Sequence, residues 1–253
     1  MAMGLFLIIC AVMFELLNLS QKKYSNETQL TAAFQDARLA MDQIVRDFNM
    51  AGYPPANLFS VVPTSPQTYA ITPVAWSPGY SGTPPVPCQI GTGGGGTCST
   101  PGDYDLIVET RLSTDTNVSW IWYHLDPTSN TLYRAVVPKA GAGTDPYSSV
   151  QTSPAKVPFL ANVVNDNTGL LPAISGQYPA MFPGGLPQPI FQYRCETPAG
   201  TMACPLAGTY NSPQNVRDVA VTLIVMTPQP DMQTQNLKLV ELNGSGHRVN
   251  PVN

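Results

Sequence analysis

Leu30-Thr31-Ala32-Ala33-Phe34-Gln35-Asp36-Ala37-Arg38-Leu39-Ala40-Met41-Asp42-Gln43-Ile44-Val45-Arg46-Asp47-Phe48-Asn49-Met50-Ala51-Gly52 is the stretch that decides the fold. Its apolar positions Leu30, Phe34, Ala37, Met41, Ile44, Val45, Phe48 and Ala51 recur every three or four residues, one face of an α-helix. The opposite face carries Gln35, Asp36, Arg38, Asp42, Gln43, Arg46 and Asp47. Arg38–Asp42 and Asp42–Arg46 stand four residues apart, where opposite charges support a helix modestly. Ala51-Gly52 supplies a C-terminal cap and Pro54-Pro55 forbids continuation; no proline precedes Pro54.

Upstream, the run from Met1 to Phe14 is uncharged and apolar or Gly, with Leu5, Phe6, Leu7, Ile8, Ile9, Val12 and Phe14 its large members. Glu15 interrupts it, and Leu16, Leu17 and Leu19 extend it. The run falls slightly short of the roughly 20 apolar residues of a free-standing membrane span. A cleaved signal peptide would show a basic start and a small-residue cleavage site, and neither is present. The helical pattern also runs on past the point where a signal peptide ends. One continuous helix of some fifty residues, roughly 75 Å long, is therefore expected. Residues 1–19 would sit in lipid or in a helix bundle, and 20–52 would lie amphipathically against the protein's own domain. A coiled coil would also explain the stripe, but the seam lasts only about three heptads. Glu15 has two readings: a carboxylate snorkelling near an interface two turns before Lys22, or one paired with a neighbouring helix.

Residues 53–253 read as a β-rich globular domain. Expected strands are Tyr104–Arg111, Val118–Leu125, Thr131–Val137, Val157–Val164, Pro189–Arg194, Val216–Thr227 and Leu237–Leu242. Asp126-Pro127-Thr128-Ser129-Asn130 has the residues of a tight hairpin connection. An antiparallel sheet needs cover on one face, and the amphipathic half of the helix is available for it, which gives an α+β architecture. Segments 76–102, 138–156 and 165–187 are Pro/Gly/Ser/Thr-rich insertions.

Charged residues make up 11% of the chain, against about 25% in a typical domain. Hydrophobic residues at 43% argue against disorder. The net charge of -4 and the scattering of the 12 Lys and Arg leave no basic stripe for nucleic acid. Lys22-Lys23 reads as an interfacial anchor. Of five cysteines, Cys10 lies in the apolar run, and Cys88 with Cys98 and Cys195 with Cys204 form two close pairs. Four cysteines allow three connectivities; local pairing is favoured because each bridge would staple one loop, stabilising by about 2–3 kcal/mol. Zinc is disfavoured, since the spacing within each pair exceeds the C-x₂₋₄-C of structural sites.

Catalytic chemistry is not indicated. Gly93-Gly94-Gly95-Gly96 lacks the Lys and Ser/Thr of a phosphate loop. His124 and His247 stand outside any motif, and no nucleophile elbow or metalloprotease signature occurs. Asn165-Asp166-Asn167-Thr168-Gly169 resembles the start of a calcium loop but lacks the downstream acidic ligand and reads as a turn. Trp120, Trp122 and Tyr123 are expected to fill the core rather than form a binding face. No cofactor and no metal is expected.

Ala2–Ile8 together with Gln35–Tyr53 resembles the N-terminal helix of the type IV pilin-like superfamily. The W-type minor pilins of type IV pili and the J-type minor pseudopilins of type II secretion are the nearest branch. Thr131–Arg134, Phe159–Val164, Pro189–Tyr193 and Val216–Thr227 match in the family's order and extend the resemblance over most of the chain. Members begin with a short basic leader, a Gly before the cleavage point and a glutamate near the mature N-terminus. None is visible here, and Glu15 lies too far along to stand in for that glutamate; either the chain begins inside such a helix, the favoured reading because Met1-Ala2-Met3-Gly4 reads like its middle, or the protein lacks the assembly glutamate. The resemblance implies a pilin-like fold and a structural subunit, by its branch a minor one. Such a subunit is held in a bacterial inner membrane with its domain on the periplasmic side and then assembled through its helix with other pilin-like subunits. The alternatives are a filament-presented adhesin or ligand-binding module, and a major subunit of an unusual pilus.

Overall fold

The computed structural model describes residues 2–77, 90, 98, 100–113, 115–141, 144–166, 168, 171–204 and 211–249. One helix, α1, runs unbroken over Ala2–Asn49, 48 residues and so about 72 Å. It stops where expected: Gly52 takes φ 79, the left-handed conformation that favours glycine after a helix. The Thr110 hydroxyl donates to the Met50 carbonyl at 2.7 Å, and the Gly52 amide donates to Glu109 O at 2.8 Å. The helix end is thus tied into the first strand that follows.

The buried stripe of α1 is Ala33, Ala37, Ala40, Met41, Ile44 and Phe48, with Ala51 beyond its end; Val45 packs partly against it, and Leu30 is half-buried. Phe34, expected on this stripe, is 43% exposed. The line of burial runs back from Ala37 by four residues to Ala33, and Phe34 sits about 100° round the helix from it. Alanines on the stripe bring the backbone close to the sheet. A second correction concerns Asp47, read as part of the polar face: it is buried. Nor do the expected Arg38–Asp42 and Asp42–Arg46 pairs form among the described residues; the Arg46 guanidinium donates to Gln43 Oε1 instead.

Two antiparallel sheets stand where one was expected. The first contains β1 (Asp105–Thr110), β2 (Ser119–Asp126), β3 (Thr131–Pro138) and β4 (Val157–Ala161), in the order β1-β2-β3-β4. The second contains β5 (Phe191–Thr197), β6 (Gly200–Ala203), β7 (Val216–Met226) and β8 (Leu239–His247), in the order β6-β5-β7-β8. An isolated bridge, Val163↔Val225, ties the segment just after β4 to β7. Strand patterning assigns faces and not partners, so the division was not legible. Helix α1 packs mainly on β8 and β7, with β4 and β1 at its margins. The main core lies beneath it, with Leu106, Val108, Ile121 and Tyr123 from the first sheet and Val219, Val221 and Leu223 from the second.

The outer face of the first sheet is also covered. Ile107, Trp120, Trp122 and Ala135 form a second cluster with Ala75, Trp76 and Val150. Val150 belongs to a short helix, α2 (Pro146–Gln151), inside a segment read as an insertion; Asp145 caps it by accepting from the Tyr147 amide. Another short helix, α3 (Leu171–Gln177), contributes Ile174 to a third cluster with Phe182, Ile224 and Leu239.

Helix and sheet meet most closely at two glycines of β8. A Cβ on Gly244 would lie 2.6 Å from Met41 Sδ, and one on Gly246 would lie 2.8 Å from Phe48 Cδ1. Overpacking of this kind costs about 1–3 kcal/mol. Gly246→Ala is therefore expected to lower stability by about that amount, with Gly246→Val worse, as read from denaturant midpoints at unchanged slope.

Candidate functional site

Among the described side chains, the apolar first half of α1 is an arm with little cover. Met3, Phe6, Ile9, Val12, Met13, Phe14, Leu16, Leu17 and Leu19 are all exposed, Phe14 by 77% and Phe6 by 65%. The side chains of Leu5, Leu7 and Ile8 lie outside the described ones. Among the described residues, the first hydrogen bond from α1 to the rest of the chain comes at Asn26, whose Oδ1 accepts from the Met232 amide at 3.4 Å. Glu15 is the only charged residue between 2 and 21. It is exposed and makes no ion pair among the described residues. Contiguous apolar surface of this kind is rare on monomeric soluble proteins and marks an interaction site. Among the described residues no helix is long and apolar enough to cross a membrane.

The second half of α1, by contrast, is anchored to the domain. Asp47 accepts from the Tyr123 hydroxyl at 2.6 Å, from Arg134 at 2.8 and 3.3 Å and from Gln43 Nε2 at 2.6 Å. Arg134 Nε also donates to the Tyr123 oxygen at 3.1 Å. A carboxylate with this many donors is compensated for its burial. Next to it lies a groove of about 610 Å³ between α1 and β4, lined by Arg46, Met50, Leu112, Val157 and Phe159 among others. A second groove of about 380 Å³ shares Gln43 and Phe159 with it and continues along Leu39 and Ala40.

Cys195 and Cys204 are joined by a disulfide; Cys98 is also disulfide-bonded, while Cys88 and Gly93–Gly96 lie outside the described residues. Cys10 is free. Trp120, Trp122 and Tyr123 are fully buried, so they offer no binding face. His124 Nδ1 lies 2.8 Å from Asp105, and His247 pairs with Asp218. Asn165 is a latch: its Nδ2 donates to Thr222 O at 2.9 Å and its Oδ1 accepts from the Ile224 amide at 2.8 Å. The described residues hold no cluster of three or more possible metal ligands. Asp47, Arg134 and the Glu109–Lys139 pair escaped the sequence reading, since each belongs to a polar position whose partner is distant in the chain.

Tyr104, Tyr123 and Tyr193 have phenols pushed above the ordinary 10.0, in each case chiefly by burial. Asp166 and Asp103 add to this at Tyr104, Asp47 at Tyr123, and Asp105 and Asp103 at Tyr193. A group whose folded pKa is raised keeps its proton when the unfolded chain has lost it. The stabilisation is therefore complete below pH about 10 and is lost as pH rises beyond it. Near-ultraviolet tyrosinate absorbance should show these three ionising together with unfolding, after the exposed tyrosines.

The chain matches no family model, no curated protein and no solved structure.

Proposed function

We propose that the protein is a structural subunit of a type IV pilus-like filament, held in a membrane and then assembled through its N-terminal helix, with the β domain as the outer surface. The observation that carries this reading is the uncovered apolar arm, continuous with a helix locked onto its own two sheets. Apolar residues on every side of a helix suit either lipid or a bundle of other helices. Exchanging one for the other keeps that surface away from water throughout assembly. The resemblance of 35–53 to pilin helices supports the same reading, as does the anchoring of 33–48. The adhesin reading lacks its aromatic face, because Trp120, Trp122 and Tyr123 are in the core.

Val12→Asp and Leu16→Asp place charge on the arm, at positions exposed in the single chain. Both are expected to reduce recovery of this chain in isolated filaments at least tenfold, with the thermal midpoint of the detergent-solubilised protein unchanged. Filaments from producing cells that lack this chain, while it remains a free membrane monomer, would overturn the reading. The proportion of this chain in those filaments separates a minor from a major subunit.

A further inference from the structure

We infer that Glu15 of one copy pairs with Arg46 of a second, the arm of the first filling the groove between α1 and β4 of the second. The inference rests on the filament reading and names the contact through which copies meet. Glu15 lies on the same helical face as Val12 and Leu19, at spacings of three and four residues. Any surface that buries this face buries the carboxylate too, and an unpaired carboxylate in an apolar contact is strongly disfavoured. A surface that takes up the arm with its carboxylate still ionised must therefore be apolar and carry one cation.

The groove beside α1 has that composition. Met50, Leu112, Val157 and Phe159 give it apolar walls, and Val157 is half exposed along the edge strand β4. Two guanidiniums reach it. Arg134 is committed to Asp47, whereas Arg46 donates to Gln43 and has no carboxylate partner among the described residues. Arg38, also without a carboxylate partner, lies outside both grooves. An acid without a cation and a cation without an acid thus occur on one chain, too far apart to meet within it. Thirty-one positions of continuous helix separate them, about 46 Å. Pairing between parallel copies consequently sets an axial offset of about 46 Å between the two molecules in contact.

The test is charge reversal in the full chain within filaments. Glu15→Arg alone and Arg46→Glu alone are expected to lower its incorporation at least tenfold, and the two together to restore it to within about threefold of wild type. Both positions are exposed, and circular dichroism of each variant confirms that the fold is kept. In a Cys10→Ala background, Glu15→Cys with Arg46→Cys should give an oxidative ladder of this chain, whereas Glu15→Cys with Arg38→Cys should not. Full incorporation of either single variant, failure of the double variant to recover, or cross-linking through position 38 or to a different protein overturns the pairing and leaves the filament reading standing. Absence of the wild-type chain from filaments overturns both.

Discussion

Glu109→Ala is expected to destabilise the folded protein by about 3–5 kcal/mol, the cost of stranding one member of a buried ion pair. Glu109 and Lys139 are 0% and 1% exposed at their side chains. The carboxylate accepts from Lys139 Nζ, from the Ile71 amide at 2.7 Å and from Trp120 Nε1 at 3.3 Å. Lys139 also donates to the Tyr69 carbonyl at 3.0 Å and lies over the Tyr69 ring. One carboxylate therefore fixes the 69–71 segment, β1, β2 and the end of β3. Truncating it takes the carboxylate away from a buried ammonium and from the Ile71 and Trp120 donors. Glu109→Leu with Lys139→Met removes both charges and should recover much of the loss. Guanidinium unfolding of the detergent-solubilised chain measures the effect, and a loss below about 1 kcal/mol for Glu109→Ala would contradict the assignment of a buried pair.

Asp47→Ala is the second large effect, expected at about 2–3 kcal/mol because one partner, Arg134, keeps some access to water. Its side chain is 21% exposed, against 1% for Asp47. The variant leaves the Tyr123 hydroxyl, buried between helix and sheet, without its acceptor. The loss should be local as well as global: amides of residues 41–49 should exchange faster with solvent than those of β2 and β3. Equal protection of that helical segment in variant and wild type would sink the claim that Asp47 anchors it. Asp47→Asn, which keeps an acceptor but loses the charge, should fall between the two.

How far the sequence revealed this depends on whether a signal is local. The helix was legible because three-and-four spacing, Gly52 and Pro54-Pro55 are all written within a few residues of one another. Most strands were legible for the same reason, and Val216–Met226 and Thr131–Pro138 lie within a residue of their expected bounds, but β6 (Gly200–Ala203) was not expected and β8 runs on to His247, past the expected end at Leu242. Asp47 was misread because a charged residue next to Arg46 looks solvated, and its true partners stand 76 and 87 positions away. Phe34 was misread because a large apolar residue one step from Ala33 draws the stripe toward itself, although the small residue is what permits close approach. The short helices inside 138–156 and 165–187 are held by tertiary packing of Val150 and Ile174, which composition does not disclose. The arm's apolar character was plain, whereas the groove beside β4 exists only once helix and strand are placed together.

The order of contacts along β8 has a mechanical consequence. Met41 sits over Gly244, Phe48 over Gly246, and Asn49 Oδ1 accepts from the His247 amide, so helix and strand advance in the same direction. A pull on the arm along its axis therefore slides the helix past β8 instead of lifting it off. In that geometry Met41, Phe48, Asn49 and the Asp47–Arg134 bond share the load at once, where peeling would break them one by one. A chain built this way is expected to yield late under tension, and the two glycines, by letting the helix sink into the sheet, set how much steric interlock resists the slide.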